Sequence, residues 1–108
     1  MHAVPNRSKE KGARFEREMV ELLVAAGIPA QRVPLSGSVK GGSFESDIEA
    51  LVHGIERKIE CKRRARGCTT FYGFLDGAWA VVMRDDRTEP LVLMRFADFV
   101  QLVNDTLR

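Results

Sequence analysis

The sequence predicts an α/β fold, a mixed β-sheet flanked by helices, with elements in the order α-β-β-β-α-β-β-α. Three observations carry this. Residues 9–26 place Phe15, Met19, Leu22, Leu23 and Ala26 at helical spacing, which makes one apolar face. Residues 46–62 read as two alternating strands joined at His53-Gly54, a two-residue hairpin turn. Residues 78–84, "AWAVVMR", form a continuous apolar run of the kind a strand buried on both faces carries.

Each element follows from local chemistry. Residues 1–8 hold a proline and polar side chains, and a flexible arm is expected there. Ser8 is placed to cap the first helix, and Gly27 with Pro29 to end it. Glu16 has Val20 and Leu23 at i+4 and i+7, so it lies at the edge of the apolar face. A short strand is expected over 30–36, weakened by Pro34, then a Gly/Ser loop over 37–43. In the second strand, 46–52, Ile48, Ala50 and Val52 share a face. In the third, 55–62, Ile55, Arg57, Ile59 and Cys61 point one way; Glu56, Lys58, Glu60 and Lys62 point the other. Thr69 or Thr70 is placed to cap a short helix over 70–76. Strands at 78–84 and 91–96 flank the turn "DDRTEP". The last helix, 97–107, is expected to bury Phe96, Phe99, Val100, Val103 and Leu107.

The chain has 108 residues, which suits one domain, and is 44% hydrophobic, enough for a single small core. Its 17 basic and 15 acidic residues nearly cancel, so distribution matters more than net charge. Residues 57–66 hold Arg57, Lys58, Lys62, Arg63, Arg64 and Arg66 against one acid, Glu60. Arg7, Lys9, Lys11 and Arg14 form a second basic group. Such patches are the footprint of a polyanion partner, or simply a solvated surface. Cys61 and Cys68 match no zinc spacing and build no disulfide framework, which suits a reducing compartment. No apolar signal region opens the chain, and no apolar run approaches the roughly 20 residues of a membrane span. A soluble, cytoplasmic protein is expected.

The informative stretch is "ESDIEALVHGIERKIECKRR", residues 45–64. Glu60 and Lys62 share a strand face, and the hairpin turn sets Asp47 beside Glu60 on the neighbouring strand. Two converging carboxylates make an oxygen-rich site for a hard divalent cation such as Mg²⁺, to which the Cys61 carbonyl adds a further oxygen. Glu16 is placed to supply a third carboxylate. Lys62 would then stand beside the metal water or a scissile phosphate, and the arginines beyond it would hold a nucleic-acid backbone. The plainer reading is a polar strand face laced with Glu–Lys pairs, since Asp-x12-Glu-x-Lys arises by chance in a chain that is 30% charged.

Three pieces in order, "KGARFERE", "RVPLSGS" and "SDIEALVHGIERKIECKRR", resemble the PD-(D/E)XK nuclease superfamily. More narrowly they resemble the archaeal-type Holliday junction resolvases, which phages and viruses also carry. The resemblance spans about residues 9–66 and implies a restriction-endonuclease-like core. Glu16 matches the helix glutamate, Asp47 the metal aspartate, and Glu60 and Lys62 the (D/E)xK pair around Cys61. Ser36 or Ser38 matches the loop serine. Ser46 stands where the family pattern has proline. The implied activity is that of a homodimeric endodeoxyribonuclease of DNA recombination. It binds four-way junctions and cuts two opposed strands with Mg²⁺, for which Mn²⁺ substitutes, leaving 5′-phosphate ends. The expected nucleic-acid contacts are Arg7, Lys9, Lys11, Arg14, Arg32, Lys40, Arg63, Arg64 and Arg66.

Two other functions fit the same residues. One is a nicking, flap or restriction-like nuclease with the same chemistry. The other is a non-cleaving nucleic-acid-binding module on the same fold. Phe71, Tyr72, Phe74, Leu75 and Trp79 are either core or a dimer contact.

Overall fold

In a computed structural model that describes residues 7–33 and 47–106, with side chains from Lys11 onward, the predicted order of elements is present. The chain folds as two compact units, residues 1–63 and 64–108. The first holds α1 (Arg7–Ala25), β1 (Ala30–Arg32), β2 (Ile48–Val52) and β3 (Ile55–Ile59). The second holds α2 (Thr69–Phe74), β4 (Ala80–Met83), β5 (Leu91–Met94) and α3 (Phe96–Asp105). The flexible arm expected over 1–8 falls outside the described residues except at Arg7 and Ser8, which are helical. Ser8 therefore lies inside α1 and is not its cap; the run of good helix formers around it carries the helix back to Arg7.

The end of α1 follows from one glycine. Gly27 takes φ +87°, the left-handed conformation that costs glycine no Cβ clash. The Ile28 N–H donates to the Leu23 carbonyl and the Gly27 N–H to the Val24 carbonyl, both at 2.9 Å. These two bonds are a Schellman motif, and they satisfy carbonyls that the helix itself leaves open. Leu23 and Ile28, the apolar pair this motif brackets, are 1% and 2% exposed and belong to the core of the first unit with Ile48 and Ala50. Leu22, expected on the buried face, is exposed.

β1, β2 and β3 form an antiparallel sheet in that order, and α1 packs on β1 and β2. His53 and Gly54, at φ +53° and +81°, make the two-residue turn, whose left-handed residues match the twist of the strands. The turn sets the register, Val52 opposite Ile55 and Ile48 opposite Ile59. The expectation that the third strand runs to Lys62 is corrected. The ladder ends at Ile59, because the next available N–H, that of Cys61, is taken by the Asp47 carboxylate and not by a backbone carbonyl.

In the second unit β4 and β5 pair antiparallel, so every strand ladder among the described residues is antiparallel. The strand expected to be buried on both faces is half open: Val82 is 68% exposed, and Val92 opposite it is exposed too. Pairing with β5 satisfies an edge of the strand and covers neither of its faces, and the apolar run does not reveal how much packs over them. Thr69 is the first helical residue of α2 and not a cap; Cys68 holds the cap position with no side-chain bond. Leu75 and Val103 are the buried residues, while Phe96 is exposed, Phe99 and Val100 are half-buried, and Leu107 lies outside the described residues. The Arg95 guanidinium donates to the Ala78 and Leu75 carbonyls at 3.0 and 2.9 Å, which ties the start of α3 to the turn after α2. No helix among the described residues is long and apolar enough to cross a membrane.

Candidate active site

Asp47 is the hub of the first unit's sheet. Its N–H donates to the Ile59 carbonyl at 3.2 Å, and its carbonyl accepts the Val33 N–H at 3.0 Å. The residue is thus gripped by the continuations of β3 on one side and β1 on the other. Its side chain is held as well: Oδ2 accepts the Cys61 N–H at 2.7 Å. The last register pair is Ile48 opposite Ile59, so Asp47 and Glu60 each flank the end of the ladder, and the Asp47 N–H still reaches the Ile59 carbonyl.

Glu60 and Lys62 lie just past the end of β3 and remain side by side, with Lys62 Nζ 3.3 Å from Glu60 Oε2. Both side chains are mostly exposed, at 65% and 61%, so this pair contributes little to stability and is easily exchanged for another partner. Glu16 comes from α1 and lies at the edge of its apolar face, 18% exposed. Its Oε1 accepts a hydrogen bond from Arg32 Nε at 3.0 Å.

The Cys61 thiol reports where the three acids are. Burial pushes it up from 9.0 to about 11, and the charges of Asp47, Glu16 and Glu60 add to that push. Asp47 meets residue 61 directly through the bond to its N–H, while Glu16 and Glu60 act on the thiol through their charge. Hard oxygen donors of this type, two carboxylates with a backbone carbonyl nearby, suit Mg²⁺, which keeps several of its waters. Among the described residues no three acidic, histidine or cysteine side chains stand close enough together to hold one ion as they are. Asp47, Glu60 and the Cys61 carbonyl are the residues that would hold it, with Glu16 as the further acid the sequence offers.

The other predicted positions divide. Lys11 and Arg14 are exposed on α1, and Arg63, Arg64 and Arg66 are exposed in the segment after Lys62. Arg7 and Lys9 lie in the first turns of α1, their side chains outside the described set; Ser36, Ser38 and Lys40 fall outside the described residues altogether. A groove of ≈ 210 Å³ lined by Pro29, Gln31, Glu49, Leu51 and Glu56 holds none of the described site residues. The Arg32–Glu16 pair has no signal in the sequence. The two residues are 16 apart, on different elements, and only the docking of α1 on β1 joins them.

The profile of the archaeal Holliday junction resolvases (Hjc) matches residues 7–73. The chain belongs to the archaeal Holliday junction resolvase family. No curated protein and no solved structure matches significantly. The stretch shared with the resolvases contains Glu16, Arg32, Asp47, Glu60 and Lys62, and it ends inside α2. Resolvase membership implies a nuclease that acts on Holliday junctions.

Proposed function

We propose that this chain is a Mg²⁺-dependent DNA endonuclease, one nuclease domain over residues 1–108, that resolves Holliday junctions as a homodimer. The observation that carries the reading is the bond from the Cys61 N–H to Asp47 Oδ2, in a chain of the resolvase family. It joins the strand acid to the segment that bears Glu60 and Lys62.

Bound Mg²⁺ would supply Lewis acidity and an acidified water. Asp47 and Glu60 would give carboxylate oxygens to the ion, and Glu16 would add negative charge from α1. Lys62 leaves its weak pairing with Glu60 and sets its ammonium against the phosphate, where it offsets the charge that develops during hydrolysis. Lys11, Arg14, Arg63, Arg64 and Arg66 bind phosphates along the arms, which gives affinity and register but no sequence information. Two opposed cuts need two sites, and a two-fold dimer supplies them. The exposed aromatic side chains Phe71, Tyr72, Phe74 and Trp79 suit the dimer contact, whereas Leu75 is buried and belongs to the core.

The test is cleavage of a mobile four-way junction, with duplex and flap controls, in Mg²⁺, Mn²⁺ and EDTA. Paired symmetric cuts that require metal, Asp47 and Lys62 support the reading. Metal-dependent cutting of duplex or flap without junction preference keeps the chemistry and replaces the substrate. Binding without any cutting leaves a nucleic-acid-binding module.

A further inference from the structure

We infer that Arg32 is a positioning residue for Glu16 and not a phosphate contact. This rests on the nuclease reading above and deepens it. Arg32 is the last residue of β1 and lies opposite Ile48, the neighbour of Asp47. The next residue, Val33, donates its N–H to the Asp47 carbonyl. From the same strand end the Arg32 side chain reaches α1 and holds Glu16 Oε1 at 3.0 Å. One short segment therefore fixes two acids: the backbone of Asp47 directly, and the carboxylate of Glu16 through a guanidinium.

Electrostatics separates this role from a DNA contact. The two side chains are 35% and 18% exposed, so the pair is partly withdrawn from water and holds better than a surface ion pair. A guanidinium engaged with a carboxylate brings no net charge to a phosphate. It does set the position of one carboxylate oxygen, Oε1, because the Nε–H lies fixed in the guanidinium plane, whereas a lysine ammonium turns freely. Released from Arg32, Glu16 would keep its charge and lose its aim.

The experiment uses the full chain and four proteins besides wild type: Glu16→Gln, Arg32→Met, the two combined, and Arg63→Ala as a phosphate-contact control. Methionine keeps an aliphatic stem of similar reach, and thermal unfolding checks that each variant folds. The double variant has the net charge of the wild type. Its junction affinity, measured without Mg²⁺, is expected to stay within about 2-fold, with an unchanged salt slope, whereas Arg63→Ala lowers the slope by about one. In Mg²⁺, each single variant and the double are expected to lose a similar factor in kcat, roughly 10–100-fold, with KM little changed. Loss of about one unit of salt slope in the double variant, or rate losses that multiply, overturns the inference and returns Arg32 to the phosphates. A wild type that cuts no DNA overturns the nuclease reading instead, and the salt slope still distinguishes a paired Arg32 from one on phosphate.

Discussion

The carboxylate of Asp47 accepts the backbone N–H of Cys61 at 2.7 Å, and that bond takes the place of the next rung of the β2–β3 ladder. The end of a strand and the start of the candidate site are the same event. A sheet that continued to Lys62 would spend the Cys61 N–H on a carbonyl and leave the Asp47 side chain untethered.

The first prediction separates the structural from the chemical use of Asp47. Asn at this position keeps an oxygen that accepts the Cys61 N–H; Ala does not. Amide hydrogen exchange at Cys61 should stay slow in Asp47→Asn and speed up in Asp47→Ala. Both variants should lose cleavage by roughly 10²-fold or more, since each removes the charge aimed at the reacting centre. Full activity in Asp47→Asn would remove this residue from the site.

A second prediction uses the Cys61 thiol. Its pKa is raised from 9.0 to about 11 by burial and by the surrounding acids. Between those values the unfolded chain gives up a proton that the folded chain retains. This contribution to stability is whole below pH 9, falls as pH rises, and is gone above about 11. In EDTA, the difference in unfolding free energy between wild type and Cys61→Ala should change in that window and be flat below it. In a Cys68→Ser background, alkylation of Cys61 should still be accelerating at pH 10. A plateau by pH 9 would mean that the acids do not crowd the thiol.

The basic segment gives a third. Replacing Arg63, Arg64 or Arg66 by alanine should weaken junction and duplex binding together and lower the salt slope by about one per residue. A loss confined to one DNA sequence would mean that the residue reads bases instead.

The fourth tests the fold beneath the site. Gly27→Ala puts a Cβ on a residue held at φ +87° and should cost about 1–2 kcal/mol. Leu23→Ala should cost about 3 kcal/mol through the cavity it leaves in a core of few residues. Chemical unfolding measures both. A Gly27→Ala variant as stable as wild type would show that α1 does not need its left-handed stop.

Much of the site was legible because it is local. His53-Gly54 is a turn signal, a two-residue turn sets one register, and that register pairs Ile48 with Ile59, the neighbours of Asp47 and Glu60. The edge position of Glu16 on α1 follows from helical spacing alone, and its side chain is indeed largely sheltered. Burial in the second unit was less legible. "AWAVVMR" has the composition of a strand covered on both faces, but apolar side chains do not state how many partners a strand will find, and Val82 ends up in the open.

The order of elements, the stop of α1 and the hairpin were determined by the sequence, because each depends on residues within one turn or one ladder of each other. Only the tertiary structure decided that Arg32 holds Glu16 and that Asp47 is gripped from β1 as well as β3. These relations join α1 and β1 to the hairpin. They depend on how a helix docks on a sheet, and periodicity selects the face that docks without choosing the side chains that meet across it.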